Sequence, residues 1–325
     1  MSKKVVVHIG ANKTGSSAIQ KFLSLNCEAL RKQGLVIPSQ DFTLSNQVSG
    51  FHVFAFEELF RAPRGRQQLE AAMNVIADSH VGAKAIVLSA ENLAANPAGP
   101  ALFAGLVEKF DVQIVLYVRR QDEYILSSWQ QWYSKVSADF WAWAIGVAGT
   151  LGDWRAYLER WEAVVPRAQI TVRVFERARL DGGDAVLDFY NRLGLDAPFE
   201  SMRYPQDKVN PSFSDAVMDL VKGNKLIFKS AHDNDFYNFV LEMTGDRYVR
   251  NSRQSPITFS QRLAILRKYA DSNRWVQEAY FAGRSGGLFS NPLESDFDHA
   301  SPETMQAEKM EFLATLLYGL HKKGN

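Results

Sequence analysis

The sequence has little cysteine, no long apolar run and no excess of charge of either sign. Its single cysteine, Cys27, excludes an internal disulfide and a cysteine-based zinc site, and it favours a reducing, cytoplasmic compartment. The longest apolar stretch, 140–149, is well short of the roughly 18 residues that a membrane-spanning helix needs. Lysine plus arginine total 37 against 36 acidic residues, so general attraction to nucleic acid or to an anionic membrane is excluded. Any anion-binding site must be local.

The composition is that of a globular protein, with 46% hydrophobic and 22% charged residues in 325. We predict a single domain over residues 1–325, with an α/β core over 1–200 and a mostly helical flank or lid over 205–325. In the last helix, one apolar stripe is predicted. It consists of Met310, Leu313, Leu316 and Leu317.

Short β-branched runs alternate with helical patterns through the first part of the chain. The predicted strands are Val5–Ile9, Leu35–Ile37, Ala85–Leu88, Ile114–Val118 and Ile170–Phe175. Apolar residues between them recur every three or four positions, as at Ile19, Leu23, Cys27 and Leu30. This alternation predicts a three-layer αβα fold with a central parallel sheet, whose ligands bind beyond the carboxyl ends of the strands.

A turn rich in glycine and hydroxyl residues joins the first predicted strand to the first predicted helix. It reads Gly10-Ala11-Asn12-Lys13-Thr14-Gly15-Ser16-Ser17. Such a junction directs backbone N–H groups and the positive end of a helix at one point, which suits a phosphate or a sulfate. An ordinary strand-to-helix turn with capping residues is the alternative interpretation.

The position of the lysine distinguishes this turn from the loop of nucleotide triphosphatases. Gly10 and Gly15 have the spacing of G-x-x-x-x-G-K-[ST], but Ser16 stands where the phosphate-binding lysine of that motif belongs. The usual ATP site is therefore disfavoured. The lysine lies within the turn instead, where Lys13 is expected to reach the outer oxygens of an anion while nearby hydroxyls donate hydrogen bonds. Those hydroxyls belong to Thr14, Ser16 and Ser17.

A second candidate anion contact follows another predicted strand. Arg119 stands at the strand's end and Ser127 comes eight residues later, on the next helix. A guanidinium and a hydroxyl in this arrangement can bind one phosphate from two sides. Arg120 and Ser128 are the neighbouring alternatives. The competing interpretation is that the arginines only form ion pairs with nearby carboxylates such as Asp122.

Together the two motifs resemble those of the sulfotransferases that use 3′-phosphoadenosine 5′-phosphosulfate (PAPS). Residues 13–17 resemble the family's 5′-phosphosulfate loop, and Arg119 with Ser127 matches its motif for the 3′-phosphate. The resemblance is to bacterial proteins related to carbohydrate sulfotransferases and covers about residues 4–225. Ala18 is a departure, because steroid and phenol sulfotransferases carry there a tryptophan that helps to hold adenine. Further similar segments are 88–93, 153–175, 188–195, 210–214 and, near the family's cofactor, 273–289.

The resemblance implies transfer of a sulfuryl group from PAPS to a hydroxyl, or alternatively an amine, of a carbohydrate-like or lipid-like acceptor. The product would be 3′,5′-adenosine bisphosphate (PAP), and with Lys13 neutralising charge no metal is expected. Such a transfer needs a base near the acceptor oxygen. Glu91, just beyond a predicted strand, is the first candidate, with helix capping as its alternative role. His52 is the second, with a buried structural histidine as the alternative.

Two further features bear on ligands. Phe140, Trp141 and Trp143 are the candidates for the acceptor side, although aromatic residues at helical spacing also form cores. Arg284, in the glycine-rich run 283–287, is a candidate anion contact in a mobile closing loop, or part of a plain surface turn. The sequence assigns neither the adenine-stacking residue nor the oligomeric state.

Two other functions remain open at this point. One is a kinase-like nucleotide-dependent transferase on the same loop geometry, which magnesium-dependent ATP binding would favour. The other is a nucleotide- or glycan-binding module without catalysis. The presence of Lys13, Glu91 and Arg119 favours the sulfotransferase interpretation over the module.

Overall fold

A five-stranded sheet forms the α/β part of the computed structural model, which describes residues 3–43, 50–205, 213–249, 255–298 and 301–324. The strands are β1 (Lys4–Gly10), β2 (Leu35–Val36), β3 (Ala85–Ser89), β4 (Asp111–Val118) and β5 (Ile170–Val174). All pairings are parallel, in the order β2-β3-β1-β4-β5. All five predicted strands are present, which confirms the predicted fold class.

The strands are apolar on both faces because the sheet is covered on both faces. In β1, Val5 and Val7 point to one face and Val6 to the other, and none is more than 5% exposed. On the face of Val6, an apolar cluster brings in Ile19 and Phe189 from two helices. Because helices cover the middle of each strand, only the ends of the strands can contact a ligand.

The described residues contain fifteen α-helices. They are α1 (Ser16–Leu25), α2 (Cys27–Lys32), α3 (Val53–Arg61), α4 (Gly65–Ser79), α5 (Asn92–Ala95), α6 (Gly99–Phe103), α7 (Gln121–Gln131), α8 (Phe140–Val147), α9 (Trp154–Glu162), α10 (Ala185–Arg192), α11 (Asp215–Val221), α12 (Asp235–Thr244), α13 (Phe259–Lys268), α14 (Ala270–Tyr280) and α15 (Pro302–Gly324). The first helical pattern is split at Asn26, whose side-chain amide donates to the Phe22 carbonyl at 2.9 Å and caps α1.

The chain packs into two compact units. The first, here the α/β unit, comprises Met1–Arg120, Gly152–Val209 and Asp271–Phe289. The second, here the helical unit, comprises Gln121–Leu151, Asn210–Ala270 and Ser290–Asn325. The division near residue 200 made from the sequence therefore differs from these units, because 121–151 belongs to the helical unit and 271–289 to the α/β unit. That the whole chain acts as one domain stays a prediction.

A buried ion pair lies inside the helical unit. Nη1 of Arg262 is 2.8 Å from Oδ2 of Asp122, and neither residue is more than 2% exposed. Arg262 also donates to Oγ of Ser255 at 2.7 Å and lies over the ring of Phe297. Asp122 thus has a strong cationic partner within its own unit.

The structure confirms Leu316 in the apolar stripe predicted on α15, whereas Met310, Leu313 and Leu317 are exposed. Phe312 and Leu316 are the buried residues, at 1% and 8% exposure, and they lie four positions apart on one helix face. Met310 and Leu317 are 58% and 67% exposed. Periodicity was satisfied by either set, and the packing of Phe312 against Tyr248 decides the face that is buried.

Candidate functional site

The turn between β1 and α1 is held by contacts within the α/β unit. The N–H of Ala11 donates to the carbonyl of Tyr117 at 3.0 Å, which joins the turn to the end of β4. The hydroxyl of Thr14 donates to the carbonyl of Ala11 at 2.6 Å, and Thr14 is fully buried. Thr14 therefore uses its hydroxyl proton to close the turn.

Gly10 is required where the turn begins. Its φ is +105°, a conformation that residues with a side chain rarely adopt. A Cβ atom here would lie 2.9 Å from Cα and 3.0 Å from the carbonyl oxygen of Glu91. The backbone of Glu91 thus packs directly against the first residue of the turn, which brings the ends of β1 and β3 together.

The start of α1 offers backbone donors. Its N-cap is Gly15, with φ +82°, and no side chain of the described residues caps the helix. The first N–H groups of a helix have no partner within it, so those of Ser16 and Ser17 suit an anion. Lys13, with φ +60°, is also left-handed, at a cost of about 1–2 kcal/mol for a residue with a side chain. Such a backbone outlier points to a functional constraint.

Two cations meet at this turn. Nη1 of Arg119 donates to the carbonyl of Lys13 at 3.0 Å, and the guanidinium lies 5.7 Å from the centre of the Phe175 ring. The carbonyl of Arg119 accepts a hydrogen bond from Nε1 of Trp154 at 3.0 Å, which fixes its backbone. Burial lowers the pKa of Lys13 to about 8, and the charge of Arg119 is the second, smaller cause. Two positive groups in one half-buried place favour an anion between or beside them.

Glu91 follows β3 and stands at the N-cap position of α5, but its side chain does not cap that helix. Oε2 of Glu91 instead accepts a hydrogen bond of 2.5 Å from Nε2 of Gln20 on α1. The hydroxyl of Ser89 does not cap α5 either, since it bonds to Nδ1 of His8 at 2.7 Å. Glu91 therefore does not cap α5 with its side chain. Its carboxylate faces α1, the helix that follows the glycine-rich turn.

His52 is a structural residue, and the prediction that it is the second candidate for the general base is therefore corrected. It is fully buried, its Nδ1 accepts from the N–H of Ser89 at 3.1 Å, and its Nε2 donates to the carbonyl of Pro38 at 3.1 Å. Burial lowers the pKa of His52 to about 4. With both ring nitrogens engaged by the backbone, His52 fastens the end of β3 and has no nitrogen left for a substrate proton.

Acid is expected to destabilise the fold through His8 and His52. Burial lowers the pKa of His8 to about 3, so both imidazoles are neutral in the folded state. Below pH 6.5 the unfolded chain binds protons that the folded chain does not, and each histidine then lowers the free energy of unfolding by roughly 2 kcal/mol at pH 5. Urea unfolding at pH 7.5 and pH 5 measures the difference. His8→Gln and His52→Gln should each remove part of this pH dependence, and a dependence as large as the parent's in both variants would contradict the assignment.

The other predicted site residues before residue 200 lie in the helical unit. Ser127 is half-buried on α7. Phe140, Trp141 and Trp143 are half-buried on α8 and pack against an apolar cluster that includes Ile125. Packing of this kind supports the core interpretation of the three aromatic residues as strongly as the acceptor one. Their contact with an acceptor, and that of Ser127 with a phosphate, stay predictions.

Arg284 is exposed in the glycine-rich run of the α/β unit. Its guanidinium lies 5.4 Å from the ring centre of Phe281, and that of Arg179 lies 5.6 Å from the same ring. Nη1 of Arg179 also donates to the carbonyl of Leu288 at 2.8 Å. The run is thus anchored at both ends, by Phe281 and Leu288, which are buried. Arg284 as an anion contact stays a prediction.

Gln20 and the close approach of Gly10 to Glu91 are the features that sequence reasoning missed. A signal for Gln20 was present, because it is a polar residue next to Ile19 and two positions before Phe22 on the buried side of α1. A buried amide among apolar neighbours needs a hydrogen-bond partner. The sequence did not say that the partner would be Glu91, 71 residues away.

Across the part of the chain that the structure describes, no three histidine, cysteine, aspartate or glutamate side chains come together as a metal site would require. Among the same residues, no helix combines the length and the apolar character needed to cross a membrane.

Comparisons with known proteins give partial similarities. No family model matches the sequence. An uncharacterized protein of Archaeoglobus fulgidus is 28% identical over 180 residues, which are 55% of this chain and 48% of that protein, so the match spans about half the relative's length. The crystal structure of a sulfotransferase from Alicyclobacillus acidocaldarius is similar over 65% of this chain and 88% of that one, with 16% identity and a TM-score of 0.42. The fold is therefore assigned from the sheet of this chain itself, and any function must be argued from this chain's own residues.

Proposed function

We propose that this protein is a sulfotransferase that takes the sulfuryl group of PAPS and passes it to a hydroxyl of a carbohydrate-like or lipid-like acceptor. One observation carries the proposal: the uncapped, left-handed turn before α1 holds Lys13 against Arg119, and the backbone of Glu91 packs on the same turn. Anion donors, a cation and a carboxylate at adjoining strand ends are the groups that sulfuryl transfer requires.

The groups at the turn fit the anionic end of PAPS. Backbone N–H groups at a helix start and a lysine are donors that favour negative charge. Ser16 in place of the lysine of the triphosphatase motif supports a sulfated donor over ATP. Arg119, at the end of the adjoining strand β4, is the proposed ligand of the 3′-phosphate.

The chain's own residues have distinct tasks in this reaction. PAPS supplies the sulfuryl group, whose sulfur bonds to the acceptor oxygen as its bond to the 5′-phosphate oxygen breaks and PAP leaves. Glu91 accepts the proton of the acceptor hydroxyl on its carboxylate. Lys13, with a pKa of about 8, is mainly protonated at neutral pH and stabilises the negative charge that grows on the departing oxygen.

The proposal is tested by incubating the protein with PAPS labelled with ³⁵S and with fractionated carbohydrate and lipid extracts. Label is expected to appear in an acceptor without added magnesium, and PAP is expected to inhibit. Transfer from γ-³²P-ATP in the presence of magnesium, with none from PAPS, would favour the kinase-like alternative. PAP binding without transfer to any fraction would favour a nucleotide-binding module.

Arg119→Ala is expected to weaken PAP binding about 10-fold to 150-fold, because hydrogen bonds to a charged phosphate contribute roughly 1.5–3 kcal/mol. Binding of adenosine 5′-phosphosulfate, which lacks the 3′-phosphate, should change little. Isothermal titration calorimetry with both ligands measures the difference. Arg120→Ala is the matched control and should bind both ligands like the parent. Equal losses for both ligands in Arg119→Ala would mean that Arg119 only supports the turn through the Lys13 carbonyl.

A further inference from the structure

Gln20 occupies an unusual position on α1. Its side chain is 5% exposed, and its neighbours Ile19, Phe22 and Leu23 are fully buried. Burying an amide costs free energy unless its groups are hydrogen-bonded. The described structure gives Gln20 such a bond, from its Nε2 to Oε2 of Glu91 at 2.5 Å. Since an ionised carboxylate only accepts hydrogen bonds, the amide nitrogen must face it.

Glu91 is fixed by its backbone as well. Ala90, its preceding residue, donates its N–H to the carbonyl of His8 at 2.9 Å, and Ser89 donates its N–H to the ring of His52. On the other side, Gly10 leaves no space for a Cβ atom against the backbone of Glu91. The carboxylate therefore retains only side-chain rotation, and the bond from Gln20 restricts that rotation.

The two oxygens of the Glu91 carboxylate have different surroundings. Oε2 is engaged by Gln20, whereas Oε1 accepts no hydrogen bond from any residue that the structure describes. The residue itself is half-buried rather than enclosed. An oriented carboxylate with one engaged and one available oxygen is the arrangement that a general base needs, because proton transfer depends on geometry before it depends on basicity.

We infer that Gln20 is a positioning residue, which holds Oε2 of Glu91 so that Oε1 takes the acceptor's proton. The inference rests on the proposed function and adds a residue to it. Gln20 itself exchanges no proton: its N–H stays on the amide, and the proton from the acceptor hydroxyl ends on Oε1. Misplacing a reacting group by about 1 Å can cost about 100-fold in rate, so the effect of losing Gln20 is measurable.

The test combines Gln20→Met with Glu91→Gln. Methionine keeps the length of the side chain and removes the N–H donor. We expect Gln20→Met to lower kcat for transfer from PAPS by about 10-fold to 100-fold, with an unchanged KM for PAPS. In the Glu91→Gln background, Gln20→Met should lower kcat no further, because residues that act through one group are not additive. Asn92→Leu, which removes the bond from a neighbouring amide to the carbonyl of Val53, is the control and should change stability without changing kcat.

The outcomes separate the inference from the proposed function. Equal losses of kcat from Gln20→Met in both backgrounds, or a loss that follows the melting temperature as in Asn92→Leu, would assign Gln20 a merely structural role and overturn the inference. The parent's activity would then still support the sulfotransferase. A folded parent that transfers no label to any acceptor overturns the proposed function, and the inference with it.

Discussion

Replacing Lys13 with alanine is expected to lower kcat for sulfuryl transfer by about 1,000-fold, since removing one donor that stabilises charge in a transition state costs about 100-fold to 1,000-fold and this donor is a full cation. The ammonium is carried by a turn residue whose backbone is left-handed and whose carbonyl is bound by Arg119. The backbone of Lys13 is therefore in place before any ligand arrives. Initial rates with labelled PAPS measure the loss.

Two further variants separate charge from backbone at position 13. Lys13→Gly removes the ammonium but adopts φ +60° without strain, so it should be as inactive as Lys13→Ala and no less stable. Lys13→Arg keeps the charge and should retain more activity than either. If Lys13→Ala transfers label as fast as the parent, the proposed role of this lysine is wrong.

Glu91→Gln is expected to lower kcat by about 100-fold to 10,000-fold, the range that a general base contributes. The side-chain amide has the shape of the carboxylate, and its oxygen can still accept from Gln20, so folding and PAP affinity should stay near those of the parent. The loss then belongs to the proton transfer alone. Pre-steady-state transfer rates, measured alongside PAP titration, separate the chemical step from binding.

His52→Gln is the companion variant, because His52 was the other candidate base. It should lower the melting temperature and retain most of kcat, since both of its ring nitrogens bind backbone groups. The reverse pattern, with Glu91→Gln active and His52→Gln folded but inactive, would return the base to His52.

The sheet was predictable because its strands are short β-branched runs that bury both faces, which leaves few other structures open to them. The turn between β1 and α1 was predictable because glycines and serines between a β-branched run and a helical pattern mark such a junction, whereas its binding of an anion stays a prediction. Lys13, Arg119 and Glu91 follow three strands that are neighbours in the sheet, and parallel pairing brings such strand ends to one edge.

What the sequence did not predict depends on contacts between distant residues. His52 looks equally suited to catalysis or to a core until its two backbone partners are known. On α15, the same periodicity fits two faces, and only the partner of Phe312 selects one. Gln20 follows the same rule, because its hydrogen bond crosses 71 residues. Local sequence patterns predict helices and strands, whereas the function of a side chain depends on the distant residues that it contacts in the folded protein.

The central place of β1 has a consequence for synthesis on the ribosome. β1 is made first, but its neighbours β3 and β4 are made only after residues 85 and 111 have been added. The carbonyl that accepts a hydrogen bond from Ala11 belongs to Tyr117, so a nascent chain that ends before this residue cannot complete the turn. Pairings so distant along the chain form late and slowly. Any ligand of this turn can therefore stabilise only the finished fold and cannot guide the early chain.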